Sequence, residues 1–169
     1  LLANRVLRSQ AGRRKLLRHK KLIPLLLENI DWQGITVATA HLERKSASNK
    51  NSQILAELCA EALSNLSSGH EARTEVARSP IVVAVLEAIL ADFDNGNVLK
   101  YHVTMCVASL CLDATVSAKV GTMKDLMAAL SAMLCDENEQ VQEQSHNEAA
   151  ACAYHNMAAT CQDNRLRIA

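Results

Sequence analysis

The stretch Ala62–Ala77, ALSNLSSGHEARTEVA, closes an apolar helical run with Leu-Ser-Asn-Leu. It breaks at Ser-Ser-Gly and restarts with an Arg four residues after the glycine. The same sentence returns downstream. Val107-Ala-Ser-Leu110 is followed by a short segment through Val120-Gly121, and Tyr154-His-Asn-Met157 by Cys161-Gln-Asp-Asn-Arg-Leu-Arg-Ile168. Overlaid, Asn65 matches Ser109 and Asn156 at steps of 44 and 47 residues, and Arg73 matches Ser117 and Arg165 at steps of 44 and 48. Helical units repeating every forty-odd residues cannot bury their apolar faces singly, so stacking on neighbours must supply the core.

The start of the chain joins this register with a surplus. Leu2-Ala-Asn4 parallels Leu63-Ser-Asn65, Arg13 falls where Arg73 does, and Leu22–Leu27 parallels Ile81–Leu86, all at a step of about 60. The extra residues lie in 31–51, where Leu42–Asn51 reads as an exposed loop. With 169 residues there is room for one domain with a real core. Only Trp32, Phe93, Tyr101 and Tyr154 are aromatic, and the chain has five Gly and two Pro, so Leu, Ala, Val, Ile, Met and Cys must fill that core from helices.

The spacing predicts a helix over Gln53–Leu66, with Leu55, Cys59, Ala62 and Leu66 as its buried stripe, flanked by Ile54, Leu58 and Leu63. Gly69 is expected to stop it in a left-handed conformation. Further helices are expected over Ile81–Leu90 after Ser79-Pro80, Val103–Leu112, Leu126–Leu134 and Gln140–Met157. Polar turns at Asp92–Asn97 and Asp136–Glu139 separate them.

At Ala62-Leu-Ser-Asn-Leu66, Asn164-Arg165 and Ile23-Pro24-Leu-Leu26 the chain resembles the armadillo repeat family, with HEAT repeats as the near alternative. That family's pattern runs a long helix ending in Ala-Leu-x-Asn-Leu, a turn, Asn-Arg, a short helix, then Ile-Pro-x-Leu-Val-x-Leu-Leu. The resemblance implies an all-α fold: a right-handed α-solenoid of three-helix repeats, two full and two partial. As one repeat domain this divides into a partial repeat at 1–30, the 31–51 insertion, repeats at 52–94 and 95–138, and a partial repeat at 139–169. A chain that opens on Leu1 inside one repeat and closes inside another is expected to be a fragment of a longer one.

In armadillo proteins the long helices line a concave groove, and the Asn near each helix end holds the backbone of an extended peptide. The resemblance therefore implies a row of Asn4, Asn65 and Asn156, interrupted by Ser109. Glu61, Met105 and Cys152 stand four residues earlier on the same faces, and Glu57, Tyr101 and Glu148 eight earlier, with His155 beside them. The family's nuclear-import adaptors carry Trp at the four-earlier position, and Glu, Met and Cys replace it here, which disfavours an import-type cargo adaptor. What remains is a non-catalytic scaffold or adaptor for an extended basic or mixed segment, because Glu57, Glu61 and Glu148 would attract cations. The alternative is a structural module inside a cytoskeletal or axonemal assembly. The plainest reading makes the same residues ordinary solvated positions.

Charge is neutral overall but uneven. Residues 1–27 hold Arg5, Arg8, Arg13, Arg14, Lys15, Arg18, Lys20 and Lys21 with no acid. This basic end would suit an acidic partner, or serve simply as a solvated face. An acid-free, Arg-rich start also fits a mitochondrial transit segment. No aromatic residue lies among these bases, which argues against single-stranded nucleic acid.

Cys59, Cys106, Cys111, Cys135, Cys152 and Cys161 sit inside helical patterns without a CxxC pair, and read as buried reduced thiols in a cytoplasmic, nuclear or cytoskeletal setting. No stretch has the length of a membrane span. Cys152–His155 and His102–Cys106 share helix faces, yet no further ligands stand at metal spacing, and no phosphate-binding glycine loop, GxSxG or HExxH occurs. An enzyme, a metal and a cofactor are therefore not expected.

Overall fold

In the computed structural model the described residues are 7–30, 50–79, 82–91, 97–135 and 144–168. They form ten helices, and among them there is no strand. The helices are α1 (Gln10–Leu17), α2 (Leu22–Ile30), α3 (Lys50–Ser67), α4 (His70–Arg78), α5 (Val82–Ala91), α6 (Asn97–Leu110), α7 (Ala114–Val120), α8 (Lys124–Leu134), α9 (Gln144–Thr160) and α10 (Gln162–Ile168). Two short helices and a long one follow one another three times, and α10 begins the series again. Of the expected 31–51 loop, 31–49 lies outside the described residues. Lys50 and Asn51 are already helical, since α3 extends three residues before the predicted start. Likewise α6 begins at Asn97, where a polar turn was expected to continue.

The long helices stand side by side. The contacts of α6 with α3 on one side and α9 on the other are the most extensive in the molecule. Small side chains permit this: Ala56 and Ala60 of α3, Ala108 of α6, and Ala149, Ala150 and Ala153 of α9 are all buried. The buried face of α3 keeps Ala62, Leu63 and Leu66 of the predicted stripe but departs from it in the first half. Ala56, Ala60, Leu63 and Ser67 point inward, while Ile54 and Leu55 remain 45% and 46% exposed. Shape decides here, because neighbouring helices close in over alanine more tightly than over leucine. Polar atoms in this seam are satisfied: Ser67 Oγ donates to the Leu63 carbonyl and lies 3.3 Å from Cys106 Sγ.

The shorter helices pack on each other and on the long ones. Helix α5 meets α6 and α8, α1 meets α4, and α10 meets α7 and α9. Tyr154 ties α9 to α8, its hydroxyl donating to the Met127 carbonyl at 3.0 Å and lying 2.6 Å from Ser131 Oγ.

The break quoted at the outset has a physical solution. Where a long helix ends, its last carbonyls lack partners. Arg73 reaches back to close this gap, donating from Nε to the Ser67 carbonyl and from Nη2 to that of Ser68. Arg13 does the same one unit earlier, to the carbonyls of Leu7 and Arg8, at identical sequence offsets. Ser117 holds this position next and cannot reach. There Thr160 donates to the Cys111 carbonyl, and buried Asn164 donates to the Ser117 carbonyl and hydroxyl.

Gly69 is not left-handed as expected. It is the N-cap of α4 with extended backbone (φ −91°, ψ 134°), and an added Cβ would stand 2.6 Å from the Arg13 side chain. At Gly121 an added Cβ would stand 1.9 Å from Asn164 Oδ1, whose side chain is buried and bonded and has nowhere to go. Gly121→Ala is accordingly expected to lower unfolding stability in urea by about 1–3 kcal/mol. Gly69→Ala should cost less, because the Arg13 side chain can shift. Combining Gly121→Ala with Asn164→Ala should give a loss smaller than the sum of the two single losses.

Candidate functional site

The expected row falls on the three neighbouring long helices. Glu57, Glu61 and Asn65 occupy successive turns of α3, Tyr101, Met105 and Ser109 of α6, and Glu148, Cys152 and Asn156 of α9. None of the nine is buried: Glu148 and Cys152 are exposed and the rest half-buried. His155 is exposed beside Asn156. Asn4 and Arg5 lie outside the described residues. The row is thus a band of accessible positions crossing helices whose other faces form the core.

Its chemistry differs from expectation at the asparagines. Asn156 Nδ2 donates to the Ala108 carbonyl of α6 at 2.8 Å, so its donor joins two helices and is not available to a ligand. Asn65 Nδ2 is buried and has no partner among the described residues. What these amides can present outward is their oxygen.

The carboxylates have neighbours of their own. Glu57 accepts from Gln53 Nε2 at 3.2 Å, and Glu61 receives Arg8, from the basic end, at 3.4 Å. His102 of α6 stands opposite both. Burial pushes its imidazole below the ordinary value, and Glu61 and Glu57 oppose that shift. Tyr101 packs edge-on against His102 and against His146 of α9, with ring centroids 5.2 and 6.1 Å apart. Buried His146 in turn lies 2.5 Å from the Asn97 carbonyl through Nε2.

The basic end is divided by what its residues touch. Arg13 is a helix cap, Arg14 is held in two-point contact by Glu71 at 2.6 and 2.8 Å, and Arg8 leans on Glu61. Lys15, Arg18, Lys20 and Lys21 are exposed.

The cysteines correct the expectation of burial in part. Cys106 and Cys111 are buried and their thiols are pushed up to about 12 by desolvation. Cys59 and Cys161 are half-buried, and burial raises the Cys59 thiol. Cys135, at the end of α8, and Cys152, on the accessible row, are exposed. Cys152 receives a long contact from Asn156 Nδ2 at 3.8 Å, and Cys106 faces Ser67, not His102. Among the described residues no three His, Cys, Asp or Glu side chains gather as a metal site would require. No helix among them is long and apolar enough to cross a membrane.

Sequence reasoning missed a cavity of about 510 Å³ where α5, α6, α8 and α9 meet. It is lined by Leu90, Ala129, Ala132, Met133, His146 and Asn147, among others. Its only sequence signal is the run of small residues Ala128, Ala129 and Ala132, which leaves space between helices without saying what fills it. Sequence reasoning also passed over Asn164 as a bridging residue. A polar residue in the first turn of a short helix gives no hint of burial until its neighbour Gly121 is in place.

The chain matches no protein-family model, no curated protein and no solved structure.

Two measurements follow from these environments. In native protein, iodoacetamide should modify Cys135 and Cys152 first, and Cys106 and Cys111 only as fast as the chain unfolds, as mass spectrometry of quenched samples would resolve. Raising the pH to 9 should not release the latter pair, since their thiolates form only near 12.

For His102 the folded value is lowered, so on acidification the unfolded chain binds the proton first. The stability it contributes is complete above the ordinary value of 6.5 and is lost as pH falls below it. Urea midpoints measured from pH 7 to about 5.5 should decline. His102→Gln should flatten that decline.

Proposed function

We propose that this chain is a non-catalytic protein-interaction module, an armadillo-like α-solenoid whose accessible row on α3, α6 and α9 holds an extended segment of a partner protein. One observation carries the reading. Three adjacent long helices each keep three successive turns accessible at matching positions, although their other faces are closely packed. An extended chain advances about 3.3 Å per residue, so a segment laid across helices 8–10 Å apart meets a new helix every three residues or so.

The row favours a donor-rich, cationic segment. Glu57, Glu61 and Glu148 supply carboxylates, and the amide of Asn156, its donor already engaged, offers oxygen. Arg8 resting on Glu61 illustrates the kind of group the row accepts. Tyr101 gives a flat surface for the stem of a lysine or arginine. The exposed row, with no Trp at the four-earlier positions, supports general segment binding over import-type cargo recognition. A cytoplasmic, nuclear or cytoskeletal setting fits such a module.

The test is a pull-down from lysate, with partners identified by mass spectrometry, comparing the wild type with Glu57→Lys/Glu61→Lys. The reversal gives up the Gln53 and Arg8 contacts, so the melting of both proteins is measured first and the comparison made where both are folded. Partners held by the row should be depleted about tenfold or more by the reversal, because like charges set across an interface cost at least ~1.4 kcal/mol. An identical partner list from both proteins would remove the row from consideration.

A further inference from the structure

Of the basic residues near the start of the chain, three serve the fold. Arg13 caps a helix end, Arg14 is clasped by Glu71, and Arg8 meets Glu61. Lys15, Arg18, Lys20 and Lys21 do not. All four are exposed, and none makes an ion pair or side-chain hydrogen bond among the described residues. They occupy the last turn of α1 and the corner into α2, a run with exposed His19 in it and no acid.

Folding accounts for only half of this cluster. Lys15 and Arg18 sit at the C-terminal end of α1, where positive charge offsets the helix dipole. Lys20 and Lys21 immediately precede the N-terminus of α2, where the dipole disfavours cations, and the first turn of α2 has no acid to compensate. The last two lysines therefore oppose local stability.

The surface continues along α2. The Leu25 amide donates to the Lys21 carbonyl, so both residues share the helical register and lie one turn apart on one face. Leu25 is 56% exposed, and exposed Glu28 follows three residues later. The other face, Leu26, Leu27 and Ile30, is buried in the core. Cations, an apolar side chain and then an acid thus follow in order along the corner.

We propose that this corner is a second docking surface, and that its occupant is an acidic segment of a partner protein with an apolar residue among its carboxylates. Charge complementarity sets the first part: four free cations in seven residues call for several carboxylates. Leu25 sets the second, because it gains only from a partner that brings apolar surface. A nucleic-acid backbone offers nothing to Leu25, would meet Glu28 with like charge, and finds no Phe, Tyr or Trp among residues 7–30 on which a base could stack. A flat anionic bilayer would also face Glu28. A peptide avoids both conflicts, ending its acidic run before Glu28 or setting a base there. The surface lies on α1 and α2 and stands independently of the row on α3, α6 and α9.

Fluorescence anisotropy on the 169-residue chain at low salt tests this, with a short fluorescein-labelled peptide of Asp, Glu and Leu as probe. The combined substitution Lys15→Glu/Arg18→Glu/Lys20→Glu/Lys21→Glu should weaken binding at least about tenfold, and Leu25→Ser about threefold, with circular dichroism unchanged. If the Glu variant unfolds, the same four positions changed to Gln give the reading at a smaller effect. A peptide with Ser in place of Leu should bind the wild type more weakly and be indifferent to Leu25→Ser. Undiminished binding by the folded charge variants would overturn the proposal. So would tighter binding of a DNA duplex, or of phosphatidylserine vesicles, than of the peptide.

Discussion

The close approach of α6 to α3 and α9 governs what this chain can be. It rests on alanines at the seams and on buried polar residues whose hydroxyls find partners inside them, Ser67 with the Leu63 carbonyl above all. Larger residues at Ala56, Ala60, Ala150 or Ala153 would push the long helices apart. The band of accessible positions crossing them would then lose its continuity. The helix with the most extensive packing is also the middle of the accessible row, so the core and the candidate surface are two faces of one arrangement.

Every long helix must also stop without leaving its last carbonyls bare. The chain meets that requirement with different residues at equivalent places. Arg13 and Arg73 reach back to carbonyls six and five residues earlier, while after α6 the Cys111 carbonyl takes its hydrogen bond from Thr160 of α9. The three helical series look only loosely alike in sequence, because a guanidinium from one side can be replaced by a hydroxyl from the other. Gly121 answers to a different constraint: Asn164 lies against it while bonding α10 to the Ser117 carbonyl and hydroxyl of α7.

Much of the architecture was legible, for identifiable reasons. Helical spacing, scarce breakers and the recurring Asn and Arg located the helices, the long ones to within a few residues at most ends. The faces were harder. Periodicity places Leu55 in the stripe, but the seam takes Ala56 and Ala60, because which apolar residue faces inward depends on the neighbour's distance. Gly69 was read through its backbone freedom, whereas its hydrogen atom matters because Arg13 lies over it. For the row, the nine described positions on α3, α6 and α9 are half-buried or exposed. Sequence position could not reveal that Asn156 spends its donor on Ala108, since that bond joins residues 48 apart. The basic end looked uniform until its partners, Glu61 and Glu71, were in place.

Those partners sharpen the functional reading. With the Asn156 donor consumed and that of Asn65 buried, the row on α3, α6 and α9 is rich in acceptors and carries carboxylates. The corner between α1 and α2 is the reverse, four cations unpaired among the described residues and without an acid between them. One extended segment of uniform charge cannot satisfy both. A partner that engaged the two together would have to be acidic at one end and basic at the other, and the Arg8–Glu61 contact would then have to give way to it. The pair is exposed on the arginine side and worth at most about 1 kcal/mol, so displacing it asks little of a ligand that brings its own guanidinium. A ligand cation that takes Glu61 releases Arg8 and leaves the four cations of the corner as they were.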